Sequence, residues 1–160
     1  MISIREADLS HSADASALVE IVDSYARGPG GQNAPLSAEA RAGLAKGLRE
    51  HPAAFALFAC DGPRAVGAAV CFVGFSTFAG KPFVNIHDLA VLPTHRSLGA
   101  GSRLIDAVVT RARALGACKV TLEVVDSNHG ARRLYERHGF GPSDAPPRFL
   151  TKRLEEGDTR

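Results

Sequence analysis

Apolar positions along the chain switch between two spacings, and the switches predict where strands give way to helices. Ile2 and Ile4 alternate with polar neighbours in the opening run Ile2–Glu6, the two-residue period of a half-buried strand. Between Ala13 and Arg27 the spacing lengthens to three and four residues. Leu18, Ile21, Val22 and Tyr25 then share one helix face, with Ser10 or Ser12 as candidate caps. The stretch Gly28-Pro-Gly-Gly31-Gln-Asn-Ala-Pro35 cannot extend that helix and reads as a loop, either a lip over a site or a solvated connector. Ser37 caps a second helix bearing Leu44 and Leu48 and ending near His51-Pro52. Three apolar runs follow, Phe55–Cys60, Ala65–Phe75 and Phe83–Val91. They are separated by Asp61-Gly62-Pro63 and Ala79-Gly80-Lys81-Pro82, turn chemistry suited to an antiparallel meander.

The second half changes order. The strand ending at Val91 enters a glycine-spaced turn and then a helix whose apolar stripe is Leu104, Ile105, Val108, Val109, Ala112 and Leu115. A strand at Lys119–Val125, a short helix at Asn128–His138, a last strand near Arg148–Arg153 and the charged tail Glu155–Arg160 complete the chain. A meander followed by strand–helix–strand–helix predicts a mixed sheet with helices packed on it, of class α/β (α+β). No repeat or interdomain linker breaks it, so residues 1–160 are expected to form a single domain.

Composition limits the function classes. Hydrophobic residues make up 45% and charged ones 22%, the balance of a soluble globule, and no apolar run approaches the ~18 residues of a membrane span. The opening strand lacks the shape of a secretory leader, so a cytoplasmic location and no membrane partner are expected. The net charge of +2 is spread without a basic stripe, so nucleic-acid binding is not expected either. Cys60, Cys71 and Cys118 lack Cys-x-x-Cys spacing; each is expected to be a buried, inert thiol, and no metal site is predicted.

The chemistry concentrates at Val91-Leu-Pro-Thr-His-Arg96-Ser-Leu-Gly99-Ala-Gly101-Ser102. Gly99 and Gly101 let the main chain approach an anion, the helix start presents unpaired N–H groups with roughly half a positive charge, and Arg96 adds a fixed cation. The pattern predicts a pyrophosphate cradle. It is not a P-loop, because no lysine lies between Lys81 and Lys119, and it is not a dinucleotide fingerprint, because Leu104 stands where the third glycine belongs.

Arg96-x-x-Gly99-x-Gly101 instead resembles the coenzyme A motif of the GNAT acyltransferase superfamily. The segment Asn128-His-Gly-Ala131-Arg-Arg-Leu134-Tyr135-Glu-Arg-His-Gly139-Phe140 is similar to that family's second motif. The resemblance implies a GNAT fold, with a central sheet of about seven strands, a splayed parallel pair and about four helices. It implies acetyl-CoA as cosubstrate, gripped by Arg96, Ser97, Leu98, Gly99, Ala100, Gly101 and Ser102. Main-chain groups of Leu89, Ala90 and Val91 would meet the pantetheine arm, and Asn128, Ala131 and Tyr135 would complete the site. An N-acetyltransferase acting on a primary amine by direct attack needs two proton transfers. Tyr135 matches the family's phenol and is the expected general acid. His87 is the first candidate for the base, with Asp88, Glu123 or a water in reserve. A main-chain N–H near Leu89 or Val91 would meet the oxyanion. Adjacent strand residues face opposite ways, so His87 and Asp88 reach one amine only across a bulge.

Over most of its length the chain looks most similar to the diamine and thialysine acetyltransferases, with counterparts at Glu50-His-Pro52, Phe75-Ser-Thr-Phe78-Ala-Gly-Lys81 and Asp88. It departs from them at Arg27-Gly-Pro-Gly-Gly31, where they carry acidic residues, at His87, where they carry a Glu, and at Ser97, where a glycine is usual. A polyamine needs carboxylates, so polyamine specificity is not expected; a small-molecule amine is, whether a monoamine, an amino-acid-like molecule or an antibiotic amine. A protein lysine or N-terminal acetyltransferase, or a coenzyme-binding sensor without turnover, stays open. The similar families commonly form homodimers.

Overall fold

The computed structural model describes residues 1–142, 150–152 and 154. Strand β1 (Ile2–Glu6) leads to helices α1 (Ser12–Ala26) and α2 (Ala38–Glu50), then to β2 (Ala54–Asp61), β3 (Arg64–Ser76) and β4 (Lys81–Val91). A single 3₁₀ turn, Pro93–His95, precedes α3 (Ala100–Ala114), β5 (Val120–Leu122) and α4 (His129–Arg137). The strands lie in the order β1-β2-β3-β4-β5, antiparallel except for β4 and β5, which run parallel. This is the mixed α+β architecture that the order of elements predicts. The described residues hold five strands against the expected seven. Half of the strand predicted at 148–153 falls outside the described residues, and its described part, 150–152, is irregular.

Two apolar layers sandwich the sheet. On one face Leu104, Val108 and Ala112 of α3 pack on Phe55, Val66, Cys71, Val84 and Ile86. On the other, Leu18, Ile21 and Val22 of α1 pack on Phe58, Ala68, Val70 and Ala90, with Leu44 and Leu48 of α2 at the margin. Of the α3 stripe, Leu104, Ile105, Val108 and Ala112 are buried as the spacing predicts, Val109 is half-buried, and Leu115 at the end is 43% exposed. Two other expectations need correction. Helix α1 starts after His11 with no side-chain cap, because Asp8 binds the Ser10 amide and hydroxyl in a turn ahead of the helix. Cys118 is exposed, since β5 begins after it; Cys60 and Cys71 are buried as predicted.

The parallel pair splays. Val84, Asn85 and Ile86 pair with Val120, Thr121 and Leu122, and the ladder stops there, which is why β5 is shorter than the predicted Lys119–Val125. From His87 to Val91 the β4 edge facing β5 has no strand partner among the described residues. Against β3, the β4 register jumps from Val70↔Asp88 to Cys71↔Ile86, leaving His87 as the extra residue of a bulge.

Candidate active site

The turn after β4 is built around two left-handed residues, Ser97 at φ 63° and Gly99 at φ 84°. Helix α3 then starts at Ala100 with its first main-chain bond from Arg103 N–H to the Gly99 carbonyl. Among the described residues, no N–H from Ser97 to Ser102 finds an acceptor. A run of unpaired amides at a helix start, in a turn with left-handed residues, is an anion nest. Arg96 stands beside it, its Nε donating to the Val91 carbonyl at 3.2 Å. Gly101 lets α3 approach α4, for a Cβ there would lie 3.0 Å from Leu134 Cδ2.

These amides open on a cleft of about 770 Å³ that follows the unpartnered β4 edge. Its walls bring together Leu89, Ala90 and Val91 of β4, Arg96, Ser97 and Gly99 of the turn, and Ala100, Gly101 and Ser102 of α3. The start of α4 adds Asn128, Ala131 and Tyr135. Leu98 alone of the predicted coenzyme residues is off the wall; its side chain is 60% exposed, so it can offer only main-chain groups. His87, Asp88 and Glu123 do not line the cleft. Asp88 adjoins it through Leu89, whereas Glu123 is exposed beyond the end of β5.

Sequence reasoning left one wall open between two readings of its loop and missed Tyr25 in it. Tyr25 and the loop residues Gly28, Pro29 and Gly30 line the cleft, so this loop is a lip, tied down where the Tyr25 hydroxyl donates to the Gly30 carbonyl at 2.6 Å. Gln32 and Ala34 N–H both bond the Ala26 carbonyl, which folds the loop back on α1. Contact with α4 is close: a Cβ on Gly30 would sit 2.8 Å from Asn128 Nδ2. The Gly-rich composition was the legible signal, but nothing local tells such a loop what it closes on. Arg137 and His95, unassigned from sequence, also stand on the wall.

Tyr135 is 9% exposed, with its ring edge-on to Phe140 at 6.1 Å between centroids. Burial, reinforced by Tyr25, pushes its phenol up to about 12. Asn128 caps α4, its Oδ1 accepting from Ala131 N–H at 3.2 Å. The bulge at His87 resolves the alternation problem. Asp88 stands opposite Val70 and two residues before Ala90, and both of these belong to the layer beneath α1. The His87 ring meets Phe72, of the same layer, edge-on at 5.5 Å. His87 and Asp88 therefore share a face. Desolvation holds the Asp88 carboxyl above the ordinary carboxylate range, partly offset by His87.

A splayed parallel pair, an amide nest and a buried phenol thus meet at one cleft, the arrangement of an acyl-transferring protein. Residues 16–140 match the model of the Acetyltransferase (GNAT) family, and the chain belongs to that family. It is 30% identical over 139 residues to an uncharacterised N-acetyltransferase of Bacillus subtilis (strain 168), YhfO, covering 87% of this chain and 89% of that protein. It is 33% identical over 79 residues to the thialysine N-epsilon-acetyltransferase of Bos taurus, a match to 49% of this chain and 46% of the relative. A possible acetyltransferase from Clostridium difficile 630 shares the fold at a TM-score of 0.82 and 16% identity, over 97% of this chain and 99% of that one. The protein is thus a GNAT acyltransferase, and a thialysine-acetyltransferase relative accords with the resemblance read from its motifs.

Proposed function

We propose that the protein moves an acetyl group from acetyl-CoA to a primary amine by direct attack within a ternary complex. The observation that carries this reading is the run of unpaired amides from Ser97 to Ser102, opening on a cleft that follows a free strand edge toward Tyr135. The residues fit the carrier. Amides of the α3 start and Arg96 suit a diphosphate, and the open edge at Leu89–Val91 suits the amides of a pantetheine arm. When bound, the carrier supplies a thioester whose carbonyl is the acyl donor.

The chain's own groups then divide the work. Asp88 holds the ammonium of the acceptor and His87, on the same sheet face, takes its proton. A main-chain N–H of the Leu89–Val91 edge meets the charge developing on the carbonyl oxygen. Tyr135 keeps its proton throughout the neutral range. Transfer from a phenol near 12 to a thiolate whose thiol titrates near ~8.5 is uphill by roughly 5 kcal/mol, so in place of the expected general acid Tyr135 acts by donating a hydrogen bond to the leaving sulfur, which departs as the thiolate and takes its proton from solvent. The test is thiol release from acetyl-CoA across a panel of primary amines. Release that requires both acetyl-CoA and an amine supports the reading; silence with every amine, or thermal stabilisation by NAD or ATP in place of coenzyme A, overturns it.

A further inference from the structure

Three rings form a row on the α1 and α2 side of the sheet that the coenzyme cleft does not use. His51, the residue closing α2, meets Phe72 edge-on at 5.1 Å, and Phe72 meets His87 edge-on at 5.5 Å. Phe72 is half-buried and both imidazoles are exposed, so the row presents ring surface to solvent. Its orientation is fixed at both ends. The bulge aims His87 at Phe72, and at the other end His51 Nδ1 accepts from Ala53 N–H at 3.2 Å, which leaves its Nε2 edge free. Asp88, on the face that Val70 and Phe72 share, stands at the cleft end of this shelf, next to Leu89.

Charge complementarity limits what can lie there. Of the acids on the two helices covering this face, Asp14 faces Arg5 at 2.6 Å, Glu20 faces Arg64 at 3.1 Å, and Glu50 faces Arg49 at 3.6 Å. Asp23 is taken by Arg27 at 2.8 Å, Arg41 at 2.9 Å and the Leu36 amide at 2.8 Å. Glu39 sits in the first turn of α2, at the opposite end of that helix from His51. Among the described residues, Asp88 is the carboxylate beside the shelf that no arginine pairs. We propose that His51, Phe72 and His87 form the acceptor subsite, selecting a monocationic amine with a flat aromatic body whose ammonium reaches Asp88. This rests on the amine-transfer reading above. An aryl body gains ring contact along the row beyond what an aliphatic chain of equal length gains, whereas the second cation of a polyamine finds imidazole edges.

Titration calorimetry of the full chain in the presence of coenzyme A measures this without turnover, using 2-phenylethylamine, butylamine and spermidine as probes. The aryl amine should bind about tenfold more tightly than butylamine, and spermidine no more tightly than butylamine. Phe72→Leu, which keeps the apolar volume, and His51→Ala, at an exposed position, should each shrink the aryl preference to about threefold or less while leaving coenzyme affinity unchanged. Tightest binding of spermidine, or an aryl preference that survives both substitutions or never exists, overturns the subsite. Absence of thiol release with any amine would instead refute the transfer reaction, and the calorimetric ratio would still decide the shelf.

Discussion

Ser97 shows how a single residue can bear the strain of a site. Its φ of 63° lies in the left-handed region, which costs a side-chain-bearing residue roughly 1–2 kcal/mol, and the glycine usual in the family would avoid that cost. Part of the gain is lost to the greater freedom of glycine in the unfolded chain, so Ser97→Gly should stabilise the fold by up to about 1 kcal/mol, read as a higher Tm. The departure was visible in sequence but its consequence was not: residue identity reports an unusual choice, whereas the dihedral angle comes from the turn as a whole. Tyr135 carries a sharper prediction. Tyr135→Phe removes the hydroxyl and little packing, so turnover should fall by about 100-fold with coenzyme affinity nearly unchanged, measured by steady-state thiol release beside direct titration. Unaltered turnover would remove the phenol from the chemistry.

At the scale of elements, β4 shapes most of the candidate site because it breaks two rules of a regular strand. It stops pairing with β5 after Ile86, and it inserts His87 opposite β3. Hydrophobic alternation located the strand to within two residues, Phe83–Val91 against Lys81–Val91, yet alternation alone puts His87 and Asp88 on opposite faces. The bulge is a property of two paired strands and has no local signature in either. Helix α3 was legible up to its last turn, since its stripe, its glycine entry and its anion nest follow from spacing, whereas Leu115 turned out exposed. By contrast α2, with no fully buried residue, depends on its cap, where the Ser37 hydroxyl accepts from Ala40 N–H at 3.1 Å. Ser37→Ala should cost about 1 kcal/mol and speed hydrogen exchange in α2 before the sheet opens. Equal protection in variant and wild type would show that α2 is held by its margin contacts instead.

Over the whole molecule, stability and reactivity pull against each other at Asp88. Desolvation raises its folded-state pKa above the unfolded value, so the folded form binds more protons between the two and stability falls as pH rises through that window, which opens near the unfolded value of about 3.9. Asp88→Asn should therefore raise Tm at pH 7, lose that advantage as pH falls below about 4, and depress turnover. A variant less stable than wild type at pH 7 would mean that the carboxylate is held by contacts that outweigh its burial. The fold class and the order of elements were readable because each depends on residues close in sequence, and nearly all of the cleft wall because two local motifs, 96–102 and 128–140, resemble those of a known family. The contacts that settle the 28–35 loop as a lip, and the ring shelf, were not, because they join segments tens of residues apart. The most direct test of the account is a crystal structure with coenzyme A bound. Its diphosphate should lie on the amides of Ser97–Ser102 with the sulfur beside the Tyr135 hydroxyl; a carrier bound elsewhere, or with its sulfur directed away from Tyr135, would contradict the assignment.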